Sequence, residues 1–527
     1  MTDVTELIAD FLQDAQVAIA RDSLEKAKVL YQGILGIDGT NIEALSQLAA
    51  IAFNEGELHK ALSIYSIAIE HHSGEADIHH GLAVIYRELG DEVKAIQMID
   101  TALRIEPGHE PALFEKARML QKRGNLNEAE RLYLQLTAKN GSRLDAIFNR
   151  GVILFRQGNL KAAERWFRQA VKLDSGSPHA LTNLALIYRY QGLFDVADRC
   201  LRHVIKLHPD FVEAQWNLSN LELLLGELRE GFKRAEWRFK RPGFSYPARD
   251  LPLWKGEPMA GKRLLLVAEQ GLGDTIQFIR FAKPLADQNI KVGVEAQVAL
   301  HLLLATAIGV DEVLKPGEDG SAYDAWLPIM SLPYILGTTL DNIPADMPYL
   351  MGPENIDSIA LPRKKPLIGF VWQGNPMHDN NRYRSIGLQA WGPVLATRGV
   401  QFVSLQFGVA GPDFIQFETE EAVIDVGTHL SDFARTAAVV QKLDLVITVD
   451  TAVAHLAGAL GKPVWLLVSP ANDWRWLTDR DDTPWYPSMR IFRSSVLKVW
   501  DDVMTEVAVA LSKRVSTDSV KPAFRTN

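Results

Sequence analysis

A single cysteine, Cys200, stands in 527 residues, so neither an intrachain disulfide nor a cysteine metal cluster can form. Long apolar runs are also missing: none approaches the roughly 18–20 residues that span a bilayer. Basic charge is in deficit, with 56 Lys and Arg against 65 Asp and Glu. The net charge of −9 gives no general attraction for nucleic acid or anionic lipid. The first residues, MTDVTELIADFLQDAQ, are acidic and amphipathic and do not resemble a secretory signal. A cytoplasmic protein is expected, with no nucleic-acid partner and no transmembrane segment. At this length one core does not suffice, and two or three domains are expected.

What the chain does have is repetition. Gly56, Gly90, Gly124, Gly158, Gly192 and Gly226 stand 34 residues apart. Ala27, Ala61, Ala95, Ala129, Ala163 and Ala197 keep the same period of 34. That is the period of tetratricopeptide repeats, each a pair of helices joined by a tight turn. The glycine ends the first helix and the alanine lets the second pack closely. Tyr65, Tyr133 and Phe167 follow the alanine by four residues and fill the next layer. Pro107 and Pro209 fall at hand-overs between repeats. Full repeats are read at 42–75, 76–109, 110–143, 144–177 and 178–211, with a looser one at 8–41. The unit at 212–245 has Gly231 in place of the alanine and reads as a cap that docks the array onto the rest of the chain. Such an array serves to bind a protein segment, or else as a spacer or dimerisation arm. His71, His72, His79 and His80 read as solvated helix-end residues rather than metal ligands.

The helical period stops after Arg241. Pro242, Pro247, Pro252 and Pro258, with Gly243, Gly256 and Gly261, mark a linker over 241–262. Apolar runs of strand type come next, at 263–268, 290–295, 367–371, 401–405, 422–426, 445–449 and 464–468, alternating with helical stretches. This is a doubly wound α/β pattern. A polar seam at 353–366 divides it into a first lobe, 263–355, and a second, 366–512, before a flexible tail at 513–527. The overall expectation is a helical superhelix over 1–240 followed by two Rossmann-like lobes.

Ligands of such sheets bind beyond the carboxyl ends of strands. Three loops are expected there. The first is EQGLGDT, residues 269–275, whose Gly271 and Gly273 allow close backbone approach and whose Asp274 opens a helix. The second is Trp372-Gln373-Gly374-Asn375-Pro376, followed by Arg382 and Arg384, which either meet diphosphate oxygens or are ordinary surface arginines. The third lies in residues 444–468, DLVITVDTAVAHLAGALGKPVWLLV, where Asp450 and Thr451 close a buried strand and open a helix carrying His455. Asp450 and Thr451 either cap that helix or meet a ligand at its amides. A fourth segment, Asp473-Trp474-Arg475-Trp476-Leu477 with Trp485-Tyr486-Pro487, either stacks on a nucleobase or plugs the sheet edge. Asp481 and Asp482 do not follow a strand, so no essential metal is expected there.

EQGLGDTIQF, the Trp-Gln-Gly-Asn-Pro loop and DTAVAHLAGALGKPVW together resemble the ADP-heptose:lipopolysaccharide heptosyltransferase group of two-lobed GT-B glycosyltransferases. A tetratricopeptide array before such a domain is similar to O-linked N-acetylglucosamine transferases and bacterial flagellin-modifying transferases. The resemblance implies Asp274 as general base. It also implies Asp450 and Thr451 as the turn holding the donor sugar and diphosphate. Gly271, Gly273, Trp372, Gly374, Asn375, Arg382, Arg384 and His455 complete the implied donor site. The chain departs from the N-acetylglucosamine transferases in having no histidine at the turn after the first strand. The implied activity is metal-independent transfer from a nucleotide sugar, with no further cofactor, to a protein captured by the repeats. A lipopolysaccharide or polysaccharide acceptor, or a non-catalytic scaffold with a degenerate domain, are the alternatives.

Overall fold

The structure, a computed structural model, describes residues 4–244, 249–353, 359–378, 380–408, 414–417 and 419–518. The chain divides into two compact units, 1–180 and 181–527. In the first, helices run in pairs: Val4–Ala20 with Leu24–Ile37, Ile42–Asn54 with Leu58–His71, and Ala76–Glu88 with Glu92–Ile105. Glu110–Lys122 with Leu126–Lys139 and Leu144–Arg156 with Leu160–Leu173 continue the series. The pairing runs on past the boundary into the second unit, where Pro178–Tyr190 with Phe194–Leu207, then Val212–Leu224 with Leu228–Ala235, bring the described helical pairs to seven.

The periodic residues do what their chemistry predicts. The six glycines adopt φ between +75° and +84°, a left-handed turn that a β-carbon would strain. At the second pair, Gly56 N–H donates to Phe53 O at 3.0 Å and Glu57 N–H to Ala52 O at 2.9 Å, closing the helix end. All six alanines are fully buried. The histidines depart from expectation. His71 is exposed, but His79 is buried, with Nε2 2.9 Å from Ser73 O. His72 Nε2 lies 2.6 Å from Thr40 O. These last two rings bond backbone carbonyls at the turns between helices instead of facing water.

The second unit holds two parallel sheets. β1 (Arg263–Val267), β2 (Lys291–Glu295), β3 (Glu312–Leu314) and β4 (Ala325–Pro328) form the first, in the order β3-β2-β1-β4. The second contains β5 (Leu367–Val371), β6 (Gln401–Ser404), β7 (Ile424–Asp425), β8 (Leu445–Val449), β9 (Val464–Val468) and β10 (Met489–Arg493). Its order is β10-β9-β8-β5-β6-β7. Three of these strands escape an apolar-run reading. β3 has three residues, β4 ends in Pro328, and β10 is an edge strand carrying Arg490 and Arg493. The last helix, Asp501–Asp518, continues past residue 512, so 513–518 is helical and not tail; residues 519–527 lie outside the described ones. Pro247 of the linker and 354–358 of the seam also lie outside them. The described linker lies along the edge of β4: Trp254 N–H donates to Trp326 O at 2.9 Å and Trp326 N–H to Pro252 O at 3.0 Å.

The last helical pair belongs to this unit's core. Leu223, Leu224, Leu228 and Phe232 share one hydrophobic cluster with residues of both sheets and their helices. Gly231 replaces the usual alanine because a β-carbon there would lie 2.6 Å from Leu223. Arg238 fixes the joint. It is 1% exposed and its guanidinium grips both oxygens of Glu269, at 2.8 and 2.9 Å, and Ser331 Oγ at 2.7 Å. Removing one partner strands a buried charge. Arg238→Ala should therefore destabilise the second unit by about 3–5 kcal/mol in urea denaturation. The double variant Arg238→Met/Glu269→Leu should recover part of that loss.

Candidate functional site

Each sheet reverses its winding at one place. In the first, the reversal lies between β1 and β4, and the loop leaving β1 is residues 268–271. In the second, it lies between β5 and β8, whose loops carry Trp372 to Ser385 and Asp450-Thr451. Such switch points leave a crevice where ligands of open sheets bind. The next helices, Leu272–Phe278 and Ala452–Ala459, pack on each other across the two lobes. Gly273 makes this possible, since a β-carbon there would sit 2.9 Å from His455 Cδ2.

Asp274 stands at this contact. Its Oδ2 accepts from Gly271 N–H at 2.8 Å, the reach-back of a third-position helix acid. Its Oδ1 accepts from Arg475 of the opposite lobe. Burial raises the Asp274 carboxyl above the usual range, and the Arg475 charge draws it back down. Arg475 itself is 6% exposed, lies 4.4 Å over the Trp474 ring, and also donates to Asp473 Oδ1 at 2.8 Å and to Gln277 Oε1. The sequence places this arginine in an aromatic loop with no role of its own. The available signal was an Asp-x-Arg among tryptophans just past the carboxyl end of β9.

Asp450 lies on the other side of the same cluster. Burial first, then the neighbouring Asp473, push its carboxyl up to about 6, against the favourable charge of Arg384. Asp473, bonded to Arg475, is held below its usual value, so the proton retained by this crowded pair sits on Asp450. The buried indole nitrogen of Trp476 completes no hydrogen bond, yet it lies close enough to Asp450 to favour its carboxylate. Thr451 occupies the helix N-cap, but no side chain caps that helix; its hydroxyl lies 3.2 Å from the Thr448 hydroxyl.

The remaining expected residues divide. Arg384 reaches the cluster, its guanidinium beside Gly374, where a β-carbon would approach to 2.7 Å. Its Nε is buried without a hydrogen-bond partner. Arg382, two residues earlier, has its guanidinium 4.8 Å from the Tyr383 ring. Asn375 is exposed and shapes its own turn by accepting from Met377 N–H at 3.0 Å. The Trp372 side chain is buried against Phe370 and Phe414 in the core of the second sheet, because it continues the alternation of β5. It does not face the crevice cluster. His455 is buried, stacked on Trp476 with ring centroids 5.3 Å apart, and its Nδ1 is 2.9 Å from Tyr486 Oη. Burial holds its pKa well below the usual value, so the ring is neutral. Glu269 is committed to Arg238.

The aromatic segment is a plug. Trp474, Trp476, Trp485 and Tyr486 are all buried, and Trp474 meets Phe232 of the last helical pair edge-on at 5.4 Å. Helix Pro178–Tyr190 also steadies the site loops from its carboxyl end. Arg189 donates to Asn472 O at 2.8 Å, and Tyr190 Oη donates to Asn380 Oδ1 at 3.1 Å. Among the described residues no group of three His, Cys, Asp or Glu is arranged to hold a metal ion. No described helix is long and apolar enough to cross a membrane.

Comparison with known proteins finds a repeat family and a transferase family in the chain. The family described as Tetratricopeptide repeat matches residues 47–110, 114–178 and 182–232. The family described as Glycosyltransferase family 9 (heptosyltransferase) matches residues 426–503, the stretch that carries Asp450, Thr451, His455, Asp473 and Arg475. The chain joins tetratricopeptide repeats to a heptosyltransferase-like domain. It is 29% identical over 332 residues to Protein FlbA of Caulobacter vibrioides (strain ATCC 19089 / CIP 103742 / CB 15). That match covers 57% of this chain and 55% of FlbA, so the chain spans about half the length of this curated relative. Among solved structures, a tetratricopeptide repeat protein from Parabacteroides merdae ATCC 43184 is 20% identical, with a TM-score of 0.36. It covers 44% of this chain and 92% of its own. PilW, a type IV pilus biogenesis factor, is 18% identical, with a TM-score of 0.36 and coverage of 39% and 94%. Structural scores of this size carry no argument about function.

The Asp450 environment has a measurable consequence for the heptosyltransferase-like domain. A carboxyl held at about 6 in the fold and near 4 when unfolded opposes folding once ionised. Stability from this group is present below pH 4 and is lost as pH rises through 6. Asp450→Asn should therefore raise stability at pH 7.5 by on the order of 2 kcal/mol, and by about half as much at pH 5. Thermal melts at the two pH values check the sign and the narrowing gap.

Proposed function

We propose that this chain transfers a sugar from a nucleotide-sugar donor to a hydroxyl on a protein held by its repeats, through a two-lobed GT-B domain. The reading rests on one juxtaposition. Asp274, from the switch point of the first sheet, stands across a helix–helix contact from Asp450 and Thr451, at the switch point of the second. Donor and acceptor then approach from two lobes. Asp274 takes the proton of the acceptor hydroxyl as its oxygen bonds the anomeric carbon. The bond from that carbon to the diphosphate breaks, and the nucleoside diphosphate leaves with the electron pair. Arg382, Arg384 and the uncapped amides of the helix after Thr451 balance the charge of the leaving group. Asp450 accepts from sugar hydroxyls. Charge neutralisation falls to these groups, and the scheme includes no metal or further cofactor. A protein acceptor is preferred over a glycan because tetratricopeptide arrays present surfaces for polypeptide segments. A cytoplasmic setting, with the donor as a soluble substrate, completes the reading.

A thermal-shift panel of UDP-, ADP-, GDP- and CMP-linked sugars tests it. A ligand of the folded state at about 100 times its Kd adds roughly 2.7 kcal/mol of stability. Asp450→Ala should remove the shift. Asp274→Asn should keep it while turnover falls by about 10²-fold or more. An Asp274→Asn variant as active as the wild type would remove Asp274 from the mechanism. A panel in which no nucleotide sugar binds would point to a scaffold.

A further inference from the structure

The base assigned above has an unusual dependence on the other lobe. Asp274 belongs to the loop and helix after β1, but its Oδ1 is held by an arginine delivered from the loop after β9. That arginine is fully engaged. Its Nε donates to Gln277 Oε1, its Nη1 to Asp473 Oδ1 and its Nη2 to Asp274 Oδ1. The backbone N–H of Arg475 also donates to Asp473 Oδ1, at 3.1 Å, and Trp474 covers one face of the guanidinium. Two of the three guanidinium nitrogens, Nε and Nη1, are therefore fixed by partners other than Asp274, which aims Nη2 at its carboxylate.

We propose that Arg475 is a positioning residue that orients Asp274 and keeps it ionised, so that the base is competent only when the loop after β9 is seated on the first lobe. This rests on the assignment of Asp274 as the base. The physical reason is burial. A carboxyl taken out of water prefers its proton, and a protonated carboxyl cannot accept the one released by the acceptor hydroxyl. The charged groups facing Asp274 are few. Glu269, at the start of its own loop, disfavours ionisation, although Arg238 offsets its charge. Asp473 from the opposite lobe also disfavours it. Asp450 faces Arg475 from the far side and competes for its field. Gly271 N–H favours the carboxylate, and Arg475 is the cation that opposes burial. His455, neutral and beside Gly273, supplies no charge.

The guanidinium acts on Asp274 and not on the substrate in this scheme. It fixes Oδ1 while Gly271 N–H holds Oδ2, and each oxygen keeps a further lone pair to take the proton. After transfer the proton resides on Asp274 and the electron pair of the broken bond on the diphosphate. Arg475 changes neither its bonding nor its charge through the step.

The test reads Asp274 directly, so it does not depend on finding the donor. Carbon-13 labelled aspartate in the full chain gives a carboxyl titration, and the Asp274 signal is assigned by its absence in Asp274→Asn. Arg475→Gln should move the Asp274 midpoint up by at least about one pH unit, the lower end of an arginine's usual effect on a carboxylate. Arg475→Lys, which keeps the charge, should stay near the wild type. Asp473→Asn should move Asp274 the other way, because it removes a carboxylate that itself disfavours Asp274 ionisation and also frees Arg475 from a competitor. If Arg475→Gln fails to fold, the contrasting outcomes for Arg475→Lys and Asp473→Asn still decide the matter. An Asp274 midpoint unmoved in all variants would overturn the proposal and leave Arg475 as a tie between lobes. Calorimetry with UDP and ADP supplies the other arm. Loss of nucleotide binding in Arg475→Gln without any shift of Asp274 would make Arg475 a phosphate ligand and also overturn it. Failure of the nucleotide-sugar panel, by contrast, would sink the transferase reading while leaving the Asp274 titration intact.

Discussion

A guanidinium removed from water must have its N–H groups met by acceptors, and this protein places such a group at each seam of its second unit. Arg238, 1% exposed, joins the last helical pair to the first sheet through Glu269 and Ser331. Arg280, 2% exposed, donates to Trp485 O, Pro344 O and Tyr349 Oη between the lobes. Arg475 joins the lobes at the candidate site. Apolar packing tolerates small sliding motions, whereas a buried fork of N–H groups does not. The relative register of cap, first lobe and second lobe therefore depends on these three side chains. The hydrophobic cluster that runs through all three parts supplies the bulk of the burial energy.

The candidate site inherits this construction. Three carboxylates, Asp274, Asp450 and Asp473, surround Arg475, and Arg384 adds a second positive charge near Asp450. Crowding of like charges in a poorly hydrated place divides the carboxylates into roles. Asp473 stays ionised as the partner of Arg475, while Asp450 retains its proton to higher pH. Two acids of the same type thereby differ by environment alone, as functional sites commonly require.

Much of this was legible in the chain. The 34-residue period revealed the helical pairs because glycine and alanine each satisfy a local requirement, a left-handed turn and a close helix contact. Buried parallel strands such as β5, β8 and β9 announce themselves as apolar runs. Their carboxyl ends, with that of β1, pointed to Asp274, Arg384, Asp450 and His455, which the structure gathers in one place. What local pattern could not supply was partnership across the sequence. Arg475 and Asp274 are 201 positions apart, and nothing near either one names the other. Trp372 shows the converse limit. Its position in a loop motif suggested a ligand contact, but strand alternation continued one residue farther and drew the indole into the core.

The last helical pair has a consequence for how such chains can be rearranged. Val212–Leu224 and Leu228–Ala235 look like repeat, yet Leu223, Leu224, Leu228 and Phe232 are stones in the wall of the α/β core. Exchange of one array for another at the proline-rich stretch after Arg241 would tear that wall open. A seamless crossover instead falls within the array, whole periods of 34 residues upstream of Val212, where one unit substitutes for another in kind. In a lineage of such proteins, repeat number and surface can drift by duplication and loss at those internal joints, while the final pair is inherited with the sheets it covers.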